Sequence, residues 1–432
     1  MSDLEALRKQ VNYDQTFDCV QCGYCLPVCP TYETMKRETH SPRGRINLVK
    51  MAGEGKIKIA DLKEPIEKCL GCMACTTICP TNVQYGRILE GAKEAIEQHE
   101  VKSGFQRKTE QFLFDRVFPS SRWMGTLGNA AWLYQKSGMR KLAQVTYLTS
   151  ASPLNVSRFE KAVPDQPGPL ERSLRKHRVR PDYKLRMTVA FFTGCVMDGV
   201  FFDTNQNTME LLRLSGAEVV VPRNQTCCGA LHSHAGKSSS AEELAIRNME
   251  AFDLEEIDYI VNNAGGCGAK MTEYPHLFER GTYWHEQAKD FSEKVRDISE
   301  VLVELDGLEF TEPVELTITY QPSCHMTHVQ RVSEPPLLLL NQVRGLKLRP
   351  LKRPDFCCGS AGIYNLVNYD ESMKILDVKM DDVKEKRPDA VITTNPGCLI
   401  QMRVGIERTG LEKKMEAMHL VDLLMEAGPV PK

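Results

Sequence analysis

No segment of this 432-residue chain holds about 18 consecutive apolar residues, the minimum for a membrane-spanning helix. The longest apolar piece, Val189 to Phe202, is broken by Asp198 and reads as a buried strand and a turn. The N-terminal MSDLEALRKQVNYDQ has no apolar core of the kind a secretory leader carries, so a cytoplasmic protein is expected, with the inner face of the cytoplasmic membrane as an open alternative. An excess of charge of one sign is missing too. Lys and Arg number 55 against 57 Asp and Glu, which gives no general reason to expect a nucleic-acid partner. Neither Gly-x-Gly-x-x-Gly after a strand nor a phosphate-binding P-loop occurs, so no flavin or nicotinamide site of its own is expected.

Cysteine is what the chain has, 16 of them. Their spacing is too regular for a disulfide framework and points to reduced, metal-binding thiolates. Cys19, Cys22, Cys25 and Cys29 precede Pro30, and Cys69, Cys72, Cys75 and Cys79 precede Pro80. This is the run that ligates [4Fe–4S] clusters in bacterial ferredoxins, where the fourth cysteine serves the other cluster. Two [4Fe–4S] clusters are expected: Cys19, Cys22, Cys25 with Cys79, and Cys69, Cys72, Cys75 with Cys29. Such clusters move single electrons, so no catalytic residue is expected in the chain. Two zinc knuckles are the rival, but they pair Cys-x-x-Cys units rather than setting four cysteines in one run. Between the runs Arg45–Met51 has a helical pattern, and the region resembles the α-helical ferredoxin domains of respiratory iron–sulfur subunits.

The other eight cysteines form two matching sets. Cys195, Cys227-Cys228-Gly229 and Cys267 are followed, 129 to 131 residues later, by Cys324, Cys357-Cys358-Gly359 and Cys398. Short β-branched flanks precede the outer cysteines: Thr188–Phe192 and Tyr259–Asn263 in one set, Leu316–Tyr320 and Ala390–Thr394 in the other. Helical stretches lie between, at Thr204–Leu214, Ala241–Phe252 and Ser372–Lys384. Strand alternating with helix implies a parallel sheet, with ligands gathering at the strand ends. The fold class is multidomain α and α/β. An α-helical two-cluster ferredoxin domain (1–100) leads, through a helical bridge and a Pro-rich basic linker (101–186), to two repeated Cys-Cys-Gly lobes (187–312 and 313–432). A pseudo-twofold would relate the lobes, with a site at or between them. Each quartet reads as a further iron–sulfur cluster or as redox thiols; buried structural cysteines are the plainer alternative.

With Pro-Arg-Gly-Arg at 42–45, Gly-Cys-Gly-Ala at 266–269 and Cys-Cys-Gly-Ser-Ala-Gly at 357–362, the chain resembles, end to end, the iron–sulfur subunits of bacterial glycolate oxidases. The Cys-Cys-Gly modules are also similar to the Cys-Cys-Gly component of heterodisulfide reductases and to the iron–sulfur subunits of anaerobic glycerol-3-phosphate dehydrogenase and of lactate utilisation. The resemblance implies an electron-transfer subunit of a flavin-dependent glycolate (2-hydroxy acid) dehydrogenase. FAD-containing partner subunits would oxidise the substrate, and this chain would pass electrons to a membrane acceptor such as a quinone. It would not oxidise substrate alone. In the reductase relatives each module ends in Cys-x-x-Cys, whereas Ala264 and Asn395 stand here at the first cysteine of that pair. Their noncubane cluster is therefore in question, although four thiolates can hold an ordinary cube. The rival readings are a heterodisulfide or thiol reductase with catalytic Cys-Cys-Gly lobes, a lactate or glycerol-3-phosphate dehydrogenase subunit, and an iron or redox sensor.

Residues 105–150 combine Phe105, Phe112, Phe114, Phe118, Trp123, Trp132 and Tyr134 with Arg107, Lys108, Arg116, Arg122, Lys136, Arg140 and Lys141. A membrane surface suits that composition; a subunit contact or packing on the chain's own lobes suits it as well. Residues 151–186 read as a linker whose basic run, Arg172 to Arg186, is solvated or meets an acidic partner. His232, His234, His325 and His328 lie near the cysteines, as ligands or as residues that satisfy neighbouring polar groups.

Overall fold

The computed structural model describes residues 3–139 and 158–432. Arg140 and Lys141, named above, lie outside the described residues. The first hundred residues are helical. Helix α1 (Pro42–Gly53) starts where Ser41 caps the Gly44 N–H and Pro42 supplies a preset first turn. It packs with α2 (Tyr85–His99) around Val11, Ile46, Val49, Leu62, Ile88 and Leu89. Gly44 is needed there, because a Cβ would lie 1.9 Å from the Glu38 carbonyl oxygen. The bridge then contributes α3 (Ser121–Lys136).

Lobe one carries a parallel sheet of β1 (Met187–Phe191), β2 (Ala217–Val220), β3 (Tyr259–Asn262) and β4 (Val295–Asp297), in the order β2-β1-β3-β4. Its helices include α4 (Phe202–Leu214), α5 (Ser238–Ala251), α6 (Gly265–Thr272) and α7 (Ile298–Leu305). Lobe two repeats the plan with β5 (Thr317–Gln321), β6 (Lys347–Leu348), β7 (Ala390–Thr393) and β8 (Glu416–His419), in the order β6-β5-β7-β8 and again parallel. Helices α8 (Tyr369–Lys386), α9 (Pro396–Arg408) and α10 (Leu420–Glu426) accompany it. The apolar strand runs are buried, as both-face coverage of parallel sheets requires.

Two local expectations are revised. The segment after β1 is not a bare turn, because Val196–Val200 forms a helix between Cys195 and α4. The basic stretch is not simply a solvated linker either. Arg178–Val179 adds an antiparallel edge strand to lobe one beside β2. Arg178 and Arg180 both hold Glu218, each at 2.6 Å, and Arg175 pairs with Asp198. Composition showed the prolines and the charge, but the acidic partners come from distant parts of the same chain.

The lobes share one core. Phe191, Leu211 and Leu302 of lobe one and Ile318, Ile392 and Leu423 of lobe two belong to the same buried cluster. Polar contacts mirror one another across it. Asp297 and His419 occupy matching positions before α7 and α10, and each caps its helix. His419 also hydrogen-bonds the Asn263 carbonyl at 2.9 Å.

Asp297 is fully buried and its Oδ2 has no hydrogen-bond partner among the described residues. Burial pushes its carboxyl up to about 7 against the hydrogen bonds from Ser299. A carboxyl raised in the folded state binds more protons than in the unfolded chain, so its contribution falls as pH climbs from about 4 to 7. Asp297→Asn keeps the capping oxygen and removes the buried charge. Its melting temperature should match the parent near pH 5 and exceed it at pH 8, by the equivalent of on the order of 2 kcal/mol. Parallel melting curves across that range check it; a constant offset would refute it.

Candidate functional site

The two N-terminal cysteine runs form tight loops in which Gly23 and Gly71 take left-handed backbone at φ 90° and 62°. Cys19, Cys22, Cys25 and Cys79 line one small cavity, with the edge of Cys75, Tyr24 and Arg43 beside them. Cys29 turns away. Its sulfur lies 3.3 Å from Thr31 Oγ1 and within electrostatic reach of Cys72 and Cys75 of the second run. The chain thus brings each fourth cysteine to the other loop. Burial pushes the Cys25 thiol up to about 11 and holds Cys72 and Cys75 high as well. Neutral thiols are the stable form of such a site unless cations compensate.

The Pro-Arg-Gly-Arg turn supplies those cations, one arginine to each loop. Arg43 Nη1 donates to the Gln21 carbonyl at 2.9 Å, beside the first run. Arg45 is 1 % exposed and donates to the Pro65 carbonyl at 2.7 Å and to Thr31 Oγ1 at 3.1 Å. It has no carboxylate partner among the described residues. Burial opposes its charge, but Cys69, Tyr85 and Cys29 outweigh that and raise its basicity. A buried guanidinium facing thiols and no carboxylate fits an anionic thiolate-bound group between Cys29 and Cys69.

In each lobe the outer cysteines sit just past strand ends, and the glycine of Cys-Cys-Gly takes positive φ, 84° at Gly229 and 91° at Gly359. The backbone N–H after each pair points to the first sulfur, at 3.5 Å in both lobes. The four thiols of each lobe form a chain of mutual contacts: Cys195, Cys227, Cys228, Cys267 and then Cys324, Cys357, Cys358, Cys398. Among the described residues no group of three or more His, Cys, Asp or Glu is arranged around a single-ion position. The thiols surround space instead.

That space is shared. All eight lobe cysteines line one cavity of about 380 Å³, and Cys72 of the second ferredoxin run opens into it. Phe118, Phe159 and Val163 from the bridge add apolar wall, and His234 and His325 face each other there with ring centroids 5.5 Å apart. The ferredoxin region is tied to lobe two by His325 Nε2 donating to the Gly71 carbonyl at 2.8 Å, by a hydrogen bond between His328 Nδ1 and Thr77 Oγ1 at 2.8 Å and by Arg353 donating to Glu33. Lys237–Glu97 and Lys270–Glu90 tie it to lobe one. His232 hydrogen-bonds the Phe114 carbonyl at 2.8 Å. Three of the four histidines thus satisfy groups of other segments.

Sequence reasoning missed Lys379 as part of this site and saw in Asn395 only a residue standing where the reductase relatives have a cysteine. Lys379 is 1 % exposed and reaches the Arg353 carbonyl at 2.6 Å, within electrostatic range of Cys324, Cys358 and Cys357. In the sequence it is one of several lysines on a helix, with nothing to mark it as buried.

The four regions correspond to known families. Residues 15–83 match a 4Fe-4S dicluster domain, and residues 189–272 and 318–403 each match the Cysteine-rich domain family. Residues 105–163 match the linker region of the glycolate oxidase iron-sulfur subunit. A probable glycolate oxidase iron-sulfur subunit of Bacillus subtilis is 41% identical over 424 residues, 97% of this chain and 96% of that protein. The chain belongs to the glycolate oxidase iron–sulfur subunit family. The family's Escherichia coli member is 27% identical over 88% of each chain. Lactate utilization protein A of Geobacillus thermodenitrificans is 34% identical over 55% of this chain and 98% of its own length. A hypothetical protein from Helicobacter pylori shares the fold, with a TM-score of 0.58 at 9% identity, covering 99% of this chain and 77% of that one. In this family member the dicluster match spans both cysteine runs, and the two Cysteine-rich matches take in the cysteine quartets and the first three strands of each sheet, leaving out β4 and β8.

Proposed function

We infer that the chain carries electrons for a flavin-dependent 2-hydroxy-acid dehydrogenase acting on glycolate. The observation behind this is the cavity into which Cys72 and both lobe quartets open. The names of its relatives give glycolate oxidase and a subunit of it; to these we add partner subunits whose FAD takes two electrons from the hydroxy acid. Cys19, Cys22, Cys25 and Cys79 hold one [4Fe–4S] cluster, and Cys69, Cys72, Cys75 and Cys29 the other. Each lobe quartet holds a further cluster. Bound in this way, iron–sulfur clusters take up and release one electron at a time. The protein's part is to space the thiolates, offset their charge with Arg43, Arg45 and Lys379, and wall the cavity with apolar side chains.

Anaerobic purification with iron and sulfide counts tests this. About sixteen irons are expected, for four clusters at four per cube, and about twelve would leave one lobe without its cluster. Rapid reduction by glycolate should occur only with the flavin subunits present. Counts of about eight would leave the lobes empty of clusters, and disulfide reduction by the chain alone would replace the reading with a thiol reductase.

The acceptor is a membrane quinone, met through a peripheral contact. No helix among the described residues is long and apolar enough to cross a membrane. The bridge exposes Phe105, Phe112, Trp123, Leu127 and Leu133. Arg107, Lys108, Arg116, Arg122 and Lys136 beside them make no ion pair among the described residues. Exposed aromatics among unpaired cations suit an anionic lipid surface. The full chain should float with vesicles containing phosphatidylglycerol but not with pure phosphatidylcholine, and Trp123→Asp with Arg122→Glu should reduce recovery at least fivefold. Unchanged recovery, or loss only of the flavin subunits, would make this face a subunit contact.

A further inference from the structure

The two lobes match in fold but not in the charges that face their cysteines. Offset by 131 residues, Ala264 corresponds to Asn395 and Asn248 to Lys379. The glycines of the Cys-Cys-Gly turns anchor this correspondence, since Gly229 packs on Ala241 and Gly359 on Ser372, another pair 131 apart. In lobe one Asn248 is neutral and bonds the backbone, donating to the Cys227 carbonyl at 3.0 Å and accepting from the Thr226 N–H at 2.8 Å. At the matching place in lobe two the amine of Lys379, its basicity lowered by burial against the opposing pull of Cys324, donates to the Arg353 and Pro354 carbonyls at 2.6 and 3.4 Å. No carboxylate pairs with it among the described residues. The nearby groups left to balance it are the thiols of Cys324, Cys358 and Cys357, with Asp382 further along the helix.

Asn395 adds a second difference. Its Oδ1 accepts the Gly266 N–H of lobe one at 3.1 Å, which fixes the orientation of the amide. The Nδ2 group is thereby turned to the Cys398 sulfur, at 3.7 Å. Ala264 offers lobe one no such donor. Solvent access does not offset these differences, because the Cys-Cys pairs of both lobes are buried to a similar degree.

We propose that Lys379 and Asn395 are positioning residues that make lobe two the more oxidising of the two lobe sites, and so the one that electrons leaving the second ferredoxin site occupy first. Positive charge near a cluster and N–H groups aimed at its sulfurs both favour the reduced form. The placement agrees, because Cys72 lies within electrostatic reach of Cys324 and Cys357. This rests on the reading that both lobes hold clusters.

The test is a redox titration, followed by EPR, of the full chain purified without air, with iron counted in every sample. In Lys379→Met and in Asn395→Ala one cluster's midpoint should fall while the others stay in place. Each change should be on the order of tenfold in the electron's distribution between lobes, about 59 mV for a one-electron couple. Lys379→Arg should restore the parent value. Ala264→Asn should move a different signal, upward. Should Lys379→Met fold poorly, Asn395→Ala, at a partly exposed position, decides alone. Unchanged midpoints at full iron content overturn the inference and leave the clusters standing. About eight irons in the parent would overturn both.

Discussion

Cys29→Ser is expected to lose about four irons and one EPR signal, and to reduce glycolate-driven quinone reduction by the assembled complex to background. Cys29 belongs to the first loop in sequence but reaches the second loop's thiols in space. Its loss therefore opens the cluster that touches the lobes, through Cys72, and leaves the outer one bound. Metal binding is coupled to folding wherever ligands come from separate segments, so the variant should also show an early unfolding step confined to the N-terminal region. Cys22→Ser makes the useful contrast. Cys22 is exposed on the first loop, and its replacement should remove the other signal while the Cys72 side of the cavity keeps its cluster. If Cys29→Ser retained full iron, or lost the same signal as Cys22→Ser, the crossed ligation would be wrong.

Arg45→Met should destabilise the iron-loaded protein by about 3–5 kcal/mol, the usual cost of leaving one member of a buried ion pair without its partner. The expected penalty is smaller in the iron-free protein. There no cluster charge faces Arg45, whose partners are the Pro65 carbonyl, Thr31 and the Cys29 and Cys69 thiols, Cys69 being held, against its burial, below the usual thiol range by the guanidinium. Thermal melts of loaded and chelated samples give the comparison. An equal penalty in both states would mean that Arg45 serves the loop's hydrogen bonds and not the cluster's charge. Arg45→Lys keeps the charge but cannot reach both oxygens with a planar fork. It should recover most of the loaded-state stability if charge is what matters.

The cysteine runs, the doubled Cys-Cys-Gly spacing and the strand flanks were legible because ligand chemistry and strand hydrophobicity are local. A thiolate loop works at fixed spacing, and a buried parallel strand must be apolar wherever its neighbours lie. Helix limits shifted by only a few residues, as with Ser372–Lys384 against the observed Tyr369–Lys386. The basic stretch from Arg172 meets acidic groups, one of the two readings its composition allows, but that Asp198 and Glu218 of the same chain supply them was not legible, because they lie outside the segment. Lys379 could not be singled out for the same reason, and Asn395 was visible only as a replaced cysteine, not as a donor to Cys398. A lysine on a helix becomes an electrostatic element of a thiol site only when the opposite wall excludes water.

The sequence by itself therefore determined which thiols are offered as ligands and that the second half is one plan used twice. Tertiary structure alone decided that the two plans share a single core and a single cavity, that one ferredoxin loop opens into it, and that the lobes differ in the charges facing their sulfurs. Ligand identity is written residue by residue, whereas burial and electrostatic neighbourhood depend on which distant segments close over a site.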